Sequence, residues 1–322
     1  MKKLVWICLA LAGCARYADF TLPDAGAPQQ GAYLWEPRPG PVIPNRAVDT
    51  LNPSIVAWKG GLLNLLSVYD GKGWHTEAAT SSDGFAWTYG TRVLSPDPKT
   101  WEGSYIAANG ATLLRNGELL HYYQGGDPPR IGLARSTDGA TFRRQPEPVV
   151  GFGPRGSWDE RGAADPYVFE SGGRIYLFYL GQDRARRQRL GLAMSRDGLT
   201  WTKLRQNPIM ELGGPGAIDE NGLGEPAVWQ AHGWWWILYT GRARNEVRRM
   251  ALARSRDGIR WEKTGPVISG TEPWNSKVVC DATVIPSEDR VRVWFGGGDV
   301  ALPAENLHGQ IGYGELVWRP SR

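Results

Sequence analysis

Apolar positions along this chain fall in short alternating runs punctuated by Gly, Pro, Asn and Asp, and no stretch keeps the three-and-four spacing of an amphipathic helix. Four runs lead into heptads of one pattern: SSDGFAW (Ser81 to Trp87), STDGATF (Ser136 to Phe142), SRDGLTW (Ser195 to Trp201) and SRDGIRW (Ser255 to Trp261). Their starts are 55, 59 and 60 residues apart, and the last three grow out of the related runs IGLARS, LGLAMS and MALARS. An Asp-Gly pair between two apolar runs predicts a hairpin tip, because Gly accepts positive φ and the Asp carboxylate bonds nearby amides.

A second series runs in phase. Asn52, Asn109, Asp165, Glu225 and Asp281 open short strands at intervals of 57, 56, 60 and 56 residues, and three of them are followed directly by Pro: Asn52-Pro53, Asp165-Pro166 and Glu225-Pro226. Each opening strand is followed by a turn and an aromatic or aliphatic run, as in RIYLFYLG and WWWILYTG. Five units of four antiparallel strands predict an all-β, five-bladed β-propeller, whose radial repetition leaves only short sheet edges. The fifth unit ends at IGYGELVW (311–318) without a fourth strand, so residues 32–36 (AYLWE) are expected to supply it and close the ring.

Composition agrees with one large domain over 32–322: hydrophobic residues make up 41% of the chain, enough for a core, and 42 Gly with 23 Pro suit many tight turns. The formal net charge is +4, with no basic run interleaved with aromatics, so no nucleic-acid partner is expected. Lys2 and Lys3 precede an apolar run from Leu4 to Ala12 that is too short to cross a bilayer and has the form of a secretory signal. It ends at Leu11-Ala12-Gly13-Cys14, which resembles the lipobox of bacterial lipoproteins. That resemblance implies a signal peptide over 1–13, lipidation of Cys14, and an exported monomer that meets the cell-envelope membrane through its lipid anchor alone. Residues 14–31 then read as a flexible tether. Cys280 would be left without a disulfide partner, and no thiol or histidine spacing suggests a metal site.

The five strand-opening residues should ring the mouth of the central channel. Three carboxylates and two amides around one cavity form a polar cluster whose carboxylates would perturb one another's ionisation, the pattern expected of a functional site. Arg184, Arg242 and Arg244 lie in loops expected on the same side, and their guanidinium forks suit phosphate, sulfate or uronate oxygens. The aromatic residues of WWWILYTG, and the repeated pairs Trp158-Asp159 and Trp274-Asn275, read as packing between blades.

The phased units, the Asp-Pro and Glu-Pro strand starts and the IGLARSxDGxxW element resemble the five-bladed propeller glycoside hydrolases, especially glycoside hydrolase family 43 and its relatives, over about residues 32–318. The resemblance implies an inverting enzyme acting on oligo- or polysaccharide, with Glu225 as general acid and Asp165 as the residue that orients it. The general base of that family falls at Asn52, and an amide cannot take a proton from water. Asp49 or Asp281 would supply the base. Alternatively, phosphate would serve as nucleophile, as in the mannoside phosphorylases of glycoside hydrolase family 130, or the site would bind glycan without cleaving it, with Asn52 and Asn109 as ligand contacts. This reading requires no cofactor and leaves open a Ca2+ in the channel.

Overall fold

A computed structural model describes residues 16–301 and 305–321; the expected signal peptide and Cys14 lie outside the described residues. The fold is the expected five-bladed propeller, with strands throughout and a single 3-10 turn, Pro273–Asn275, among the described residues. Blade one has an interrupted inner strand, Asp49–Leu51 and Ile55–Trp58, followed by Gly61–Tyr69, Trp74–Ser81 and Thr88–Leu94. Blade two comprises Ala107–Arg115, Glu118–Gly125, Arg130–Ser136 and the two-residue Arg143–Arg144. Blade three runs Ala163–Ser171, Arg174–Gln182, Gln188–Ser195 and Trp201–Leu204; blade four runs Gly222–Ala231, Trp234–Arg242, Arg248–Ser255 and Glu262–Ile268. Blade five has Val278–Pro286, Arg290–Gly298 and Gln310–Pro320, and its fourth strand is Gly31–Pro37, paired antiparallel with Gln310–Pro320. The ring therefore closes with the N-terminal strand, as expected, and seals what would be an open sheet edge.

The core lies in the seams between blades. Phe178, Leu190 and Leu192 of blade three meet Trp235, Ile237 and Tyr239 of blade four, and Trp236 and Leu238 meet Val291, Val293 and Leu316 of blade five. Seams built this way explain the near-continuous apolar runs of the second strands, such as Arg174–Gln182 and Trp234–Arg242, since both faces of each blade are covered. Trp234 is the half-buried member of its triplet, lying beneath the guanidinium groups of Arg254 and Arg256.

The heptads form one device. In blade three, Ser195 Oγ donates to Asp197 Oδ1 (2.9 Å) and accepts from the Gly198 amide (2.9 Å), while Asp197 Oδ1 also accepts from the amides of Leu199 and Thr200 (both 2.8 Å). The same serine, aspartate and amide bonds recur at Ser81, Ser136 and Ser255. Gly198 has φ +75°, and its carbonyl accepts from Tyr122 Oη of blade two at 3.1 Å, so the turn also latches neighbouring blades. The repeated acidic pairs are structural too: Asp159 binds Lys203 (2.5 Å) and Tyr179 (3.0 Å), and Asp219 binds Lys263 (2.5 Å) and Tyr239 (3.3 Å) in the equivalent place.

One expectation is corrected. Residues 16–31 do not hang free as a tether. Arg16–Ala18 adds a parallel strand to the outer edge of blade three, Leu22 and Ala25 are buried in the seam between blades three and four, and the Gln29 amide donates to His232 O at 2.9 Å. The physical reason is that Leu22 and Ala25 fill a seam the blades leave open. A Pro-, Gly- and Ala-rich segment takes an extended docked path as readily as a loose one.

Candidate active site

Each ring residue has a left-handed backbone: φ is +47° at Asn52, +49° at Asn109, +44° at Asp165, +51° at Glu225 and +55° at Asp281. In blades two to five the inner strand slips register across that residue, and in blade one the strand breaks there. A bulge of this kind takes one side chain out of the sheet's alternation and re-aims it, here into the channel mouth. Left-handed geometry costs a non-glycine residue roughly 1–2 kcal/mol. Its recurrence at all five equivalent positions marks the ring as a place where the fold tolerates strain.

The five side chains line a cavity of about 230 Å3, with Gln124, Thr240, Arg242 and Arg248 among its other walls. Beneath them a narrow channel of about 40 Å3 continues between Pro53, Pro166 and Pro226. Asn109 Nδ2 donates to Asp165 Oδ1 (3.4 Å), the Asp281 amide donates to Glu225 Oε2 (3.3 Å), and the Cys280 thiol donates to Asp281 Oδ2 (2.9 Å). Burial, and then the charge of Glu225, push the Asp165 carboxyl up to about 7; the same two causes hold Asp281 well above the ordinary carboxylate range. The buried Arg248 guanidinium partly opposes both shifts. Asp165 and Asp281 thus both hold their protons more firmly than ordinary carboxyls, in the neighbourhood of Glu225.

Three polar atoms on residues lining the cavity have no partner: Asn109 Oδ1, Gln124 Oε1 and Thr240 Oγ1. Leaving such an atom unmet costs about 1–3 kcal/mol, a cost that a hydroxyl-bearing ligand would relieve. A calcium ion does not fit the adjacent cluster. The potential ligand atoms of Glu225, Asp281 and Cys280 lie within 4.8 Å of one another, but one is a thiol, and Arg248 places a positive charge against all three. Ca2+ takes six to eight oxygen ligands.

Of the residues expected from sequence, Asn52, Asn109, Asp165, Glu225, Asp281 and Arg242 are brought together. Arg242 is tied to Gln188 (2.5 Å) and Glu246 (3.1 Å) at the cavity wall. Asp49 is not brought in. It is fully buried, and its two oxygens accept from the amides of Asn306 (2.7 Å), Leu307 (2.9 Å) and Gly309 (2.8 Å), so it anchors a loop of blade five and has no access to the cavity as a base. Arg184 and Arg244 also stay outside. Arg184 pairs with Glu160 (2.9 Å) in a separate surface hollow, and Arg244, its side chain 82% exposed, lies 3.7 Å from Glu220. Solvated loop tips turned these two away from the channel.

Sequence reasoning did not single out Gln124, Thr240 or Arg248 as lining residues. Gln124 and Thr240 each precede the glycine that ends a second strand, so the repeat phase carried a signal for them. Trp74, Tyr105 and Glu305 also line the cavity. Tyr105 Oη donates to Glu305 Oε2 at 2.6 Å, joining the loop after blade one to the last loop of blade five. Tyr105 and Glu305 lie in non-repeating connections, where no periodicity could have found them, and Trp74 opens the third strand of blade one.

Comparison with known proteins bears out the fold. Residues 109–213, which include Asn109 and Asp165, match the family model described as β-1,4-mannooligosaccharide phosphorylase, glycoside hydrolase family 130. An uncharacterised protein of Mycobacterium tuberculosis (strain CDC 1551 / Oshkosh) is 24% identical over 230 residues, covering 65% of this chain and 75% of its own. Among solved structures, a glycoside hydrolase superposes with a TM-score of 0.69 at 15% identity, covering 89% of this chain and 92% of its own. A family 117 glycoside hydrolase from Zobellia galactanivorans gives 0.65 at 16% identity over 92% of both chains. The catalytic domain of a family 62 α-L-arabinofuranosidase from Coprinopsis cinerea gives 0.64 at 13% identity, over 90% of this chain and 98% of that one. The protein has the glycoside hydrolase-like five-bladed propeller fold, shared with these solved glycoside hydrolases.

Proposed function

We propose that this cavity cleaves a glycosidic bond of an oligo- or polysaccharide by hydrolysis, with Glu225 protonating the leaving oxygen. The observation that carries this reading is the gathering of Glu225, Asp165 and Asp281 in one cavity, beside the unpartnered polar atoms of Asn109, Gln124 and Thr240. Burial and the neighbouring Glu225 raise the carboxyls of Asp165 and Asp281, so the three groups share one electrostatic environment of the kind found where acid–base chemistry is done. Asp281 stands too close to Glu225 to serve as the base. An inverting pair stands roughly 6.5–9.5 Å apart to admit water, whereas oxygens of these two residues approach within 4.8 Å. Glu305 is the remaining carboxylate lining the cavity among the described residues, and it takes the role of water-activating base, giving inversion.

A second reading, phosphorolysis, is favoured by one feature: Arg242 and Arg248 line the same cavity in which Asn52 stands at the place of a base. Phosphate arrives already anionic and needs no base. The test is product release from a panel of oligosaccharides, mannooligosaccharides included, with and without phosphate. Hydrolysis lost in both Glu225→Gln and Glu305→Gln supports the first reading. Turnover that requires phosphate and survives Glu305→Gln supports the second. Binding without turnover in any condition refutes both and leaves a glycan-capturing protein. The lipobox LAGC further supports export and anchoring through Cys14, which intact mass of the mature protein tests directly.

A further inference from the structure

Asp49 is a carboxylate that the repeat does not explain. Three residues before the ring position, blades two to five carry Ile106, Gly162, Gly222 and Val278, so the inner strand needs no acid there. Asp49 is nonetheless fully buried, where a carboxylate is costly unless its lone pairs are met. Three amides of one loop meet them: Asn306 donates to Oδ2 (2.7 Å), and Leu307 (2.9 Å) and Gly309 (2.8 Å) donate to Oδ1. The neighbouring Thr50 amide donates to Gly309 O at 3.0 Å, which ties the same loop to the same strand through the backbone.

The loop needs this hold. Leu307 is buried in a cluster with Leu51, Tyr69 and Trp74, but Asn306 and His308 on either side of it are exposed and left-handed, with φ +62° and +56°. That geometry is unfavourable for residues carrying a Cβ and persists where the surroundings over-determine it. Glu305 directly precedes these amides. Its carboxylate is tied separately, by Tyr105 Oη at 2.6 Å, and the Tyr105 carbonyl in turn accepts from the Trp74 amide at 2.8 Å. Glu305 is thus held at two points, through the backbone that follows it and through its own side chain.

We propose that Asp49 and Tyr105 are positioning residues that fix Glu305 at the cavity wall, Asp49 through the loop backbone and Tyr105 through the carboxylate. This rests on the hydrolytic reading, in which Glu305 activates the attacking water. A base works only within hydrogen-bond reach of the proton it takes, and a misplacement of about 1 Å can cost about 100-fold in rate. Asp49 acts without lining the cavity itself, so its effect on the reaction passes entirely through Glu305.

The test compares the native chain with Asp49→Asn, Tyr105→Phe and Glu305→Gln on the oligosaccharide panel, mannooligosaccharides included. Asp49→Asn should lower kcat about 100-fold with KM within about threefold of native, because the substrate contacts remain and the base is displaced. Tyr105→Phe should lower kcat less, with the same unchanged KM. Added to Glu305→Gln, neither substitution should cost more than about twofold further, since both act through a group already removed. A Glu-specific protease supplies a readout free of turnover: cleavage after Glu305, identified by the mass of the 306–322 fragment, should be about tenfold faster or more in Asp49→Asn than in native protein. Where Asp49→Asn does not fold, Tyr105→Phe, at a residue 44% exposed, carries the kinetic test. Losses that multiply with that of Glu305→Gln, a raised KM at native kcat, or unchanged cleavage after Glu305 overturn the inference while the hydrolytic reading stands. Full activity in Glu305→Gln, or no turnover of the panel by the native protein, overturns that reading and the inference with it.

Discussion

Removing the ammonium of Lys203 should destabilise the propeller far more than removing its repeat-mate Lys263. Lys203 Nζ lies 2.5 Å from Asp159 Oδ2 and donates to Gly151 O at 2.7 Å, and its side chain is 5% exposed against 0% for Asp159. Burial holds the Lys203 ammonium below the ordinary lysine range, with the charge of Asp159 opposing that shift. Lys203→Met keeps the apolar stem and strands a buried carboxylate. Breaking a buried pair in this way costs roughly 3–5 kcal/mol. Ser157 Oγ (2.9 Å) and Tyr179 Oη (3.0 Å) still donate to Asp159, which sets the expectation at the lower end, about 3 kcal/mol. Lys263 makes the equivalent 2.5 Å bond to Asp219, but its side chain is 32% exposed, so water can replace it and Lys263→Met should cost about 1 kcal/mol. Urea unfolding at pH 7, followed by circular dichroism, measures both. Adding Asp159→Asn to Lys203→Met should recover most of the loss, because no buried charge remains. Equal costs in the two blades, or no recovery in the double variant, would refute the reasoning.

Other consequences can be measured on the same protein. Asp165 titrates near 7 when folded against 3.8 as its ordinary value, so the folded state binds its proton more tightly, and stability from this group falls as pH rises from about 4 through 7. Asp165→Asn should therefore raise the melting temperature relative to native at pH 8 and change it little at pH 5; the reverse ordering in thermal melts would contradict the assignment. Gly198→Ala should destabilise by about 2 kcal/mol or more, since φ is +75° and an added Cβ would lie 2.5 Å from Tyr122 Oη. Leu22→Ala should cost about 2–5 kcal/mol by urea unfolding if residues 16–31 are part of the body, and almost nothing if they are a tether.

What the sequence revealed and what it hid follow from the same fact, that the blade is repeated and its surroundings are not. The heptads and the five ring residues were legible because each is written several times at one phase, and the structure gives each set one local geometry: an Asp-bonded turn for the first, a left-handed bulge for the second. Asp49 misled because proximity in sequence to Asn52 looked like proximity in space. It is claimed instead by Asn306, Leu307 and Gly309 from the loop between the second and third strands of blade five, which is longer than its counterparts in other blades. Arg184 and Arg244 misled because strand alternation says which loops rise toward the cavity and nothing about which way their tips bend. Residues 16–31 misled because composition cannot separate a loose segment from one that fits a seam. The cavity accordingly combines two kinds of parts. The ring is a product of the repeat, and strain at five equivalent positions shows that the fold itself aims those side chains inward. Tyr105 and Glu305 come from connections outside the repeat and Trp74 from the start of a third strand, and they are where discrimination between one ligand and another would be built, because the ring follows from the repeat itself.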